Sequence, residues 1–415
     1  MIQYNIRTLG KNEWDFLELV TFGLHMKPVS TERLHQMDLQ AVRKWSKYHM
    51  LGALVYDAIE PALKVDQTFA EAYPQLLTAW REKRDKALRK NMLLDAARKQ
   101  LFKYMEAEGI WYMPLKGSII KDLYKKPGMR EMSDNDILFD PAYSRKIRFY
   151  MEEHGYQTES YGVGAHDTYL KEPVYNFEMH RVLFSEKPGA EWNQYYQDVK
   201  DRLIKDGSNS FGYHFEENDL YIYVIAHAYK HHKGSGTGIR TLTDCYILNE
   251  AYVDHFDYEY IGQELAVFGA SEFEQTLRSL AHKIFASEDM GQKNRLTEQE
   301  RELLTELMYS GTYGTVAGMV ERSLKELQAD GGTITTGTKW RYMWRRLFPD
   351  MGFYKEYVPV VYHHKILLPF YTVFRWGRGL IKNRKKITEE IKAIRKKQYR
   401  NETDLNIKTE RRTWI

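Results

Sequence analysis

The chain has 415 residues, 43% hydrophobic and 28% charged, an ordinary globular composition with room for two or three domains. Its single cysteine, Cys245, excludes an internal disulfide and a cysteine-rich zinc site, and fits a reducing compartment. The net charge of +4 hides an asymmetry: residues 371–415 carry 14 Lys/Arg against 5 Asp/Glu, so the body is mildly acidic and the tail strongly basic. No basic segment followed by an apolar core opens the chain, and no uncharged apolar run reaches about 18 residues. A cytoplasmic protein, membrane-peripheral at most, is therefore expected.

From Trp14 to Glu106 the apolar residues recur at helical spacing, as in Leu39, Val42, Trp45, His49 and in Leu94, Leu101, Met105. This predicts a helical scaffold that Glu108-Gly109 terminates. Ile110 to Leu115 then reads as a short strand. The next stretch carries the chemistry. Gly117-Ser118 opens an amphipathic segment, Pro127-Gly128 breaks the chain, and Asp134 and Asp136 stand two residues apart at the start of an apolar run. On a strand such positions share a face. Two adjacent carboxylates are costly unless a cation lies between them, and Mg²⁺ favours one or two carboxylates completed by phosphates and water. Gly117 and Ser118 would offer N–H groups and a hydroxyl to a phosphate.

Pro141–His154 reads as a helix, and Tyr161–His166 as a loop rich in Gly and His. Val174–Phe184 is β-branched and aromatic without a breaker, which predicts a strand. It holds Glu178, the candidate third carboxylate for a two-metal site, with Asp167 as the nearest substitute. Leu220, Tyr223, Val224, His227 and His231 lie at helical spacing, and Arg240 and Asp244 sit at i and i+4 beyond a Gly-rich loop. That loop lacks the closing Gly-Lys-Ser/Thr of a P-loop. His227, His231, His232 and Asp244 have metal-ligand spacing, although helix-end packing is the plainer account, and Arg240–Asp244 reads as helix support.

Leu115-Lys116-Gly117, Arg130, then Asp134-x-Asp136 and Leu138 resembles an uncharacterised bacterial nucleotidyltransferase-like family of the polymerase-beta superfamily. Asn135 replaces the family's apolar residue between the aspartates, on what should be the opposite face. Glu178-Met179-His180 is similar to the family's acidic–apolar–His element, with Arg181 where Trp is usual. The His pair, loop and Arg240–Asp244 also match its pattern. The resemblance implies an α+β fold, mostly α, with a small mixed-sheet core between helical segments. The division expected is 1–109 helical, 110–190 core, 191–330 helical and 331–415 basic and aromatic.

The function so implied is Mg²⁺-dependent transfer of a nucleoside monophosphate from an NTP to an unidentified acceptor, with Mn²⁺ as a substitute ion. Asp134, Asp136 and Glu178 would be catalytic and metal-binding. Lys116, Gly117, Ser118, Arg130, His180 and Arg240 would contact the nucleotide. The family's association with surface-polysaccharide assembly implies a role there. Other readings are a sugar-nucleotide Asp-x-Asp glycosyltransferase, a non-catalytic nucleotide sensor, antitoxin partner or scaffold, and an adaptor led by the tail. Residues 366–376, apolar and aromatic, precede Arg378, Lys382, Arg384, Lys385 and Lys386. The plainer expectation is a terminal helix pair packed on the body with a solvated basic end; the alternative is contact of 366–415 with an anionic membrane or another polyanion.

Overall fold

The protein, in a computed structural model, is described over residues 8–185, 190–287, 295–328 and 334–395. A flexible break is expected from Asp330 to Gly337 and a charged linker and helix start from Gln292 to Arg301; their residues 330–333 and 292–294, and the tail beyond residue 395, lie outside the described residues. The fold is α+β and mostly helical.

Its centre is a mixed sheet of five strands, β1 (Tyr112–Pro114), β2 (Asn135–Phe139), β3 (Gln157–Ser160), β4 (His166–Lys171) and β5 (Tyr175–His180). The spatial order is β1-β2-β5-β4-β3, with β2 and β5 parallel and the other neighbours antiparallel. The sequence shows β2 and β5 clearly, because both are apolar runs. It hides β3 and β4, an edge hairpin of polar residues. The β5 strand is also shorter than expected, ending at His180. Beyond it the Arg181 and Val182 amides donate to the Ala165 carbonyl as the chain turns.

The alternation along the strands divides the sheet into two unlike faces. Ile137, Phe139, Tyr169, Phe177 and Met179 enter an apolar cluster with Ile147 and Met151 of the helix Ser144–Glu153 and with Leu101 and Met105. The residues between them, Asp136 on β2, Glu178 and His180 on β5 and His166 on β4, belong to the other face. One face builds a core and the other collects charge.

A helix of 34 residues, Pro74–Ala107, sets the position of β2. Proline at its first turn costs no hydrogen bond there. Lys90 donates to the Ser133 carbonyl, Asn91 to that of Arg130, and Arg98 to Asn135 Oδ1 at 2.8 Å. Asn135 in turn donates to the Leu94 carbonyl at 3.0 Å. The residue that departs from the family pattern is thus a fully buried clamp, turned away from the two aspartates it separates. Helices before and after the sheet share one large core reaching from Phe16 to Met308, which also takes in Met113, Leu115 and Leu138.

The C-terminal helices Thr336–Leu347, Met351–Tyr357, Pro359–His363, Leu368–Lys382 and Arg384–Arg395 attach through a separate cluster of Val316, Val320, Leu324, Leu327, Tyr342 and Ala393. Leu368–Lys382 was expected to pack on the body, yet none of its 15 residues is buried. No helix among the described residues is long and apolar enough to cross a membrane.

Replacing Asn135 by leucine removes the side-chain donor to the Leu94 carbonyl and one acceptor of Arg98, which keeps Asp95. A loss of about 1–3 kcal/mol is expected in urea unfolding. An unchanged midpoint would show that the clamp does not hold β2.

Candidate active site

The site begins at a strained turn. Lys116 has φ 47°, a region that non-glycine residues rarely occupy and that persists only where the surroundings fix it. Those surroundings are visible. The Leu115 amide donates to the Asp136 carbonyl, while the Ile119 and Ile120 amides donate to the Lys116 carbonyl. The turn sends the lysine across to β2, where its Nζ lies 2.8 Å from Asp136 Oδ1. His180 Nε2 reaches the same oxygen at 2.9 Å.

Glu178 is the register partner of Asp136 across the parallel β2–β5 pair. Its Oε2 lies 3.6 Å from His166 Nε2 and 3.9 Å from His180 Nε2. His166, Glu178 and His180 present ligand atoms within 4.8 Å of one another. Asp134, at the entrance to β2, feels Asp136, Lys116, Arg240 and Lys90.

The electrostatics follow from burial and crowding. Burial and then the charge of Asp136 push the Asp134 carboxyl upward. Glu178 is driven well above the usual carboxylate range by burial, then by Asp136 and Asp134. Burial also opposes ionisation of Asp136, but Lys116 and His180 outweigh it and hold that group low. For Lys116 burial works against the ammonium, yet Asp136, with Tyr223 and Glu178 behind it, keeps its pKa above the ordinary lysine value. His166 is lowered to about 3 by burial and then by His180 and Lys116, so its imidazole is neutral and able to donate a lone pair. Three carboxylates, two of them reluctant to ionise, and two neutral imidazoles form a donor set that a divalent cation would relieve. The residues present fit such an ion.

Three buried polar atoms in this region lack a hydrogen-bond partner: Ser118 Oγ, His180 Nδ1 and Tyr223 Oη. The Ser118 amide, expected to be open to a phosphate, donates to the Leu115 carbonyl, so the hydroxyl is that residue's remaining polar group.

Several expected contacts are rearranged. Arg130, read as a phosphate ligand, is buried and held bidentately by Asp244 at 2.8 Å on both arms. Tyr124 donates to the same carboxylate. Asp244 is therefore not the helix partner of Arg240, whose guanidinium donates to the Glu131 carbonyl. Nor does Asp244 join the histidines in a metal site. His227 and His231 face each other at 3.3 Å, whereas His232 stacks on Phe273 beside Glu306. Gly117 has a steric reason: a Cβ there would lie 2.4 Å from the Arg130 guanidinium. Asp167 sits on the apolar side of β4, accepting from the Gly162 amide and facing Arg181, away from Glu178.

The sequence reading missed His166, Lys230 and the role of Tyr223. Lys230, lowered to about 8 by burial and then by Lys116, feels Glu178 and Asp136. Tyr223 feels Lys116, Asp136 and Glu178. Tyr223, His227 and Lys230 are spaced i, i+4 and i+7 on the helix Glu217–Lys233, so one face of that helix looks onto the carboxylates. That spacing was available in the sequence; His166 had no such signal.

Acidic residues at two neighbouring strands thus face a helix that presents Tyr223, His227 and Lys230. A model of the uncharacterised nucleotidyltransferase family matches residues 35–286, more than half of the chain, and the protein belongs to that family. No curated protein matches, and no solved structure does.

Asp244→Ala would strand the buried Arg130 charge, at an expected cost of about 3–5 kcal/mol in thermal or urea unfolding. The double variant Arg130→Met/Asp244→Leu should recover most of that loss. A neutral single variant would refute the pairing.

Proposed function

We propose that the protein binds a nucleoside triphosphate through Mg²⁺ and transfers its nucleoside monophosphate to an acceptor hydroxyl. The observation that supports this is the mutual electrostatic influence of Asp134, Asp136 and Glu178, with Lys116 of the Lys-Gly-Ser turn paired to Asp136. The family match supports transfer of a nucleotidyl group. In the reaction the acceptor oxygen bonds to the α-phosphorus, the bond to the β-phosphate oxygen breaks, pyrophosphate leaves and the hydroxyl proton goes to a base.

Asp134, Asp136 and Glu178 would hold the cation, which supplies charge neutralisation at the phosphates. Glu178 would serve as the third ligand or as the base that takes the acceptor's proton, once a cation offsets the Asp136 and Asp134 charges that help hold its carboxyl up. Lys116 exchanges Asp136 for a phosphate oxygen when nucleotide enters, and Lys230 and Arg240 add positive charge at the rim. The Ser118 hydroxyl donates to a phosphate. The acceptor is assigned by class alone, a hydroxyl-bearing molecule; a role in surface-polysaccharide metabolism is one setting for it.

A second reading has a specific observation behind it. Lys116 and His180 both occupy Asp136 Oδ1, so the charge balances without an ion. A non-catalytic nucleotide-binding scaffold or antitoxin partner would keep this arrangement permanently.

Calorimetric titration with ATP, GTP, CTP and UTP tests the nucleotide site, and release of pyrophosphate separates transfer from binding alone. Metal-dependent binding of at least one nucleotide is expected, weakened about a hundredfold or more in Asp134→Asn/Asp136→Asn. Absence of binding to folded wild type would remove the transferase reading. Lys116→Ala should weaken nucleotide binding about tenfold or more if the lysine moves to phosphate. A scaffold with a fixed Lys116–Asp136 pair would instead lose mainly stability.

The pH dependence has a defined sign. Asp134 and Glu178 have raised pKa values, so they gain protons earlier than ordinary carboxylates as pH falls from neutral. Protons then compete with the cation, and Mg²⁺ affinity should fall on acidification toward pH 5, by up to about tenfold per unit for each coupled proton. In Asp134→Asn the slope should be shallower. Equal slopes would show that Asp134 does not bind the ion.

A further inference from the structure

Among the described residues, most of the large apolar side chains that stand in solvent lie between residues 340 and 391. Phe370 is 74% exposed, Val373 64%, Phe374 60%, Leu380 62% and Ile381 83%, with Ile366 just before them at 81%. The spacing of positions 370, 373, 374, 377 and 381 is that of one helix face, with Gly377 in its middle. The helix Leu368–Lys382 is thus amphipathic and turned the wrong way for a soluble protein.

The cause of that orientation is visible on its other side. Arg375 donates to the carbonyls of Arg346 and Leu347, and Trp376 Nε1 donates to Leu347 at 3.2 Å. Trp376 also packs against Phe348, and Tyr371 against Tyr354. The inner side of the helix thus carries the Arg375 guanidinium with the Tyr371 and Trp376 rings, and leaves the stripe of 370, 373, 374 and 381 outside. The following helix, Arg384–Arg395, returns to the body through Ala393 and an Arg346–Glu390 ion pair. The apolar stripe is therefore presented outward by bonds that would have to break for it to fold in.

The charge around the stripe selects what covers it. Between Lys365 and Thr388 there are Lys365, Arg375, Arg378, Lys382, Arg384, Lys385 and Lys386 and no acidic residue. Exposed Trp340 and Trp344 lie on the adjoining helix Thr336–Leu347. An apolar stripe with a cationic flank and tryptophans matches the interface of an anionic bilayer, where rings reach the acyl boundary and Lys/Arg meet the headgroups. A second copy of the chain would bring the same positive charges together, which disfavours a dimer through this face.

We infer that the outward face of residues 366–382 docks the protein on an anionic lipid surface. The inference is independent of the transferase reading. The face lies outside residues 35–286 matched by the family. The helix Met351–Tyr357 borders the Gly164 turn, where a Cβ would lie 3.9 Å from Glu356 and Tyr357, and Glu356 is among the charges felt by Lys230.

The test is co-sedimentation of the full chain with vesicles of phosphatidylcholine alone and of phosphatidylcholine with phosphatidylserine. Binding is expected to the mixed vesicles, weaker to the neutral ones, and to fall with added salt. Phe370→Glu/Phe374→Glu should weaken binding at least about tenfold, and so should Leu380→Asn/Ile381→Asn, with circular dichroism and nucleotide titrations unchanged. No binding of wild type to the mixed vesicles overturns the inference. Binding that survives both double variants also overturns it, because adsorption would then come from the basic end alone. Conversion of an oligomer to monomers by the variants, without an effect on vesicles, assigns the face to self-association and overturns it too.

Discussion

The buried ion pair between Arg130 and Asp244 holds the architecture together. It joins the segment that leads into β2 to the helix Ile239–Tyr252, and so fixes the sheet against the helical body. A buried pair gains stability only when its remaining polar atoms are satisfied, and Tyr124 supplies the additional donor. The pair also dictates its neighbours. Gly117 must lack a side chain because the guanidinium lies where a Cβ would be. Beside it, Glu131 accepts from the Gly52 amide and from Lys83, so consecutive residues tie the same segment to two further helices. The placement of the aspartates is a consequence of this anchoring rather than of the strand alone.

That anchoring permits what would otherwise be unfavourable. Asp136 and Glu178 share one face of the sheet and Asp134 at its entrance feels Asp136, with Lys116 and His180 on Asp136 and His166 nearest to Glu178. Without the clamps on Arg130, Ser133 and Asn135, the strand entrance would relax and let the acids separate. The strained backbone of Lys116 is part of the same economy of position: the turn is held from both sides, so the ammonium is delivered to one oxygen.

The two central strands were legible because apolar runs are local signals. The edge hairpin β3–β4 was not, since Thr158, Ser160, Asp167 and Thr168 carry no apolar alternation, and His166 vanished with it. Arg130 and Asp244 are 114 positions apart, and no local pattern could pair them. Asp244 four residues after Arg240 offered instead a nearer partner that the fold does not use. The exposed tail helix was misjudged for a related reason. Its periodicity shows that one face is apolar, but which face turns inward is set by Arg375 and Trp376 meeting carbonyls near residue 347.

The outward apolar face of residues 366–382 has a kinetic consequence. A protein resting on a lipid sheet through residues 366–382 would meet an acceptor anchored in that sheet by diffusion in two dimensions. Its rate would then follow the number of acceptors per unit area and not their concentration in the surrounding volume.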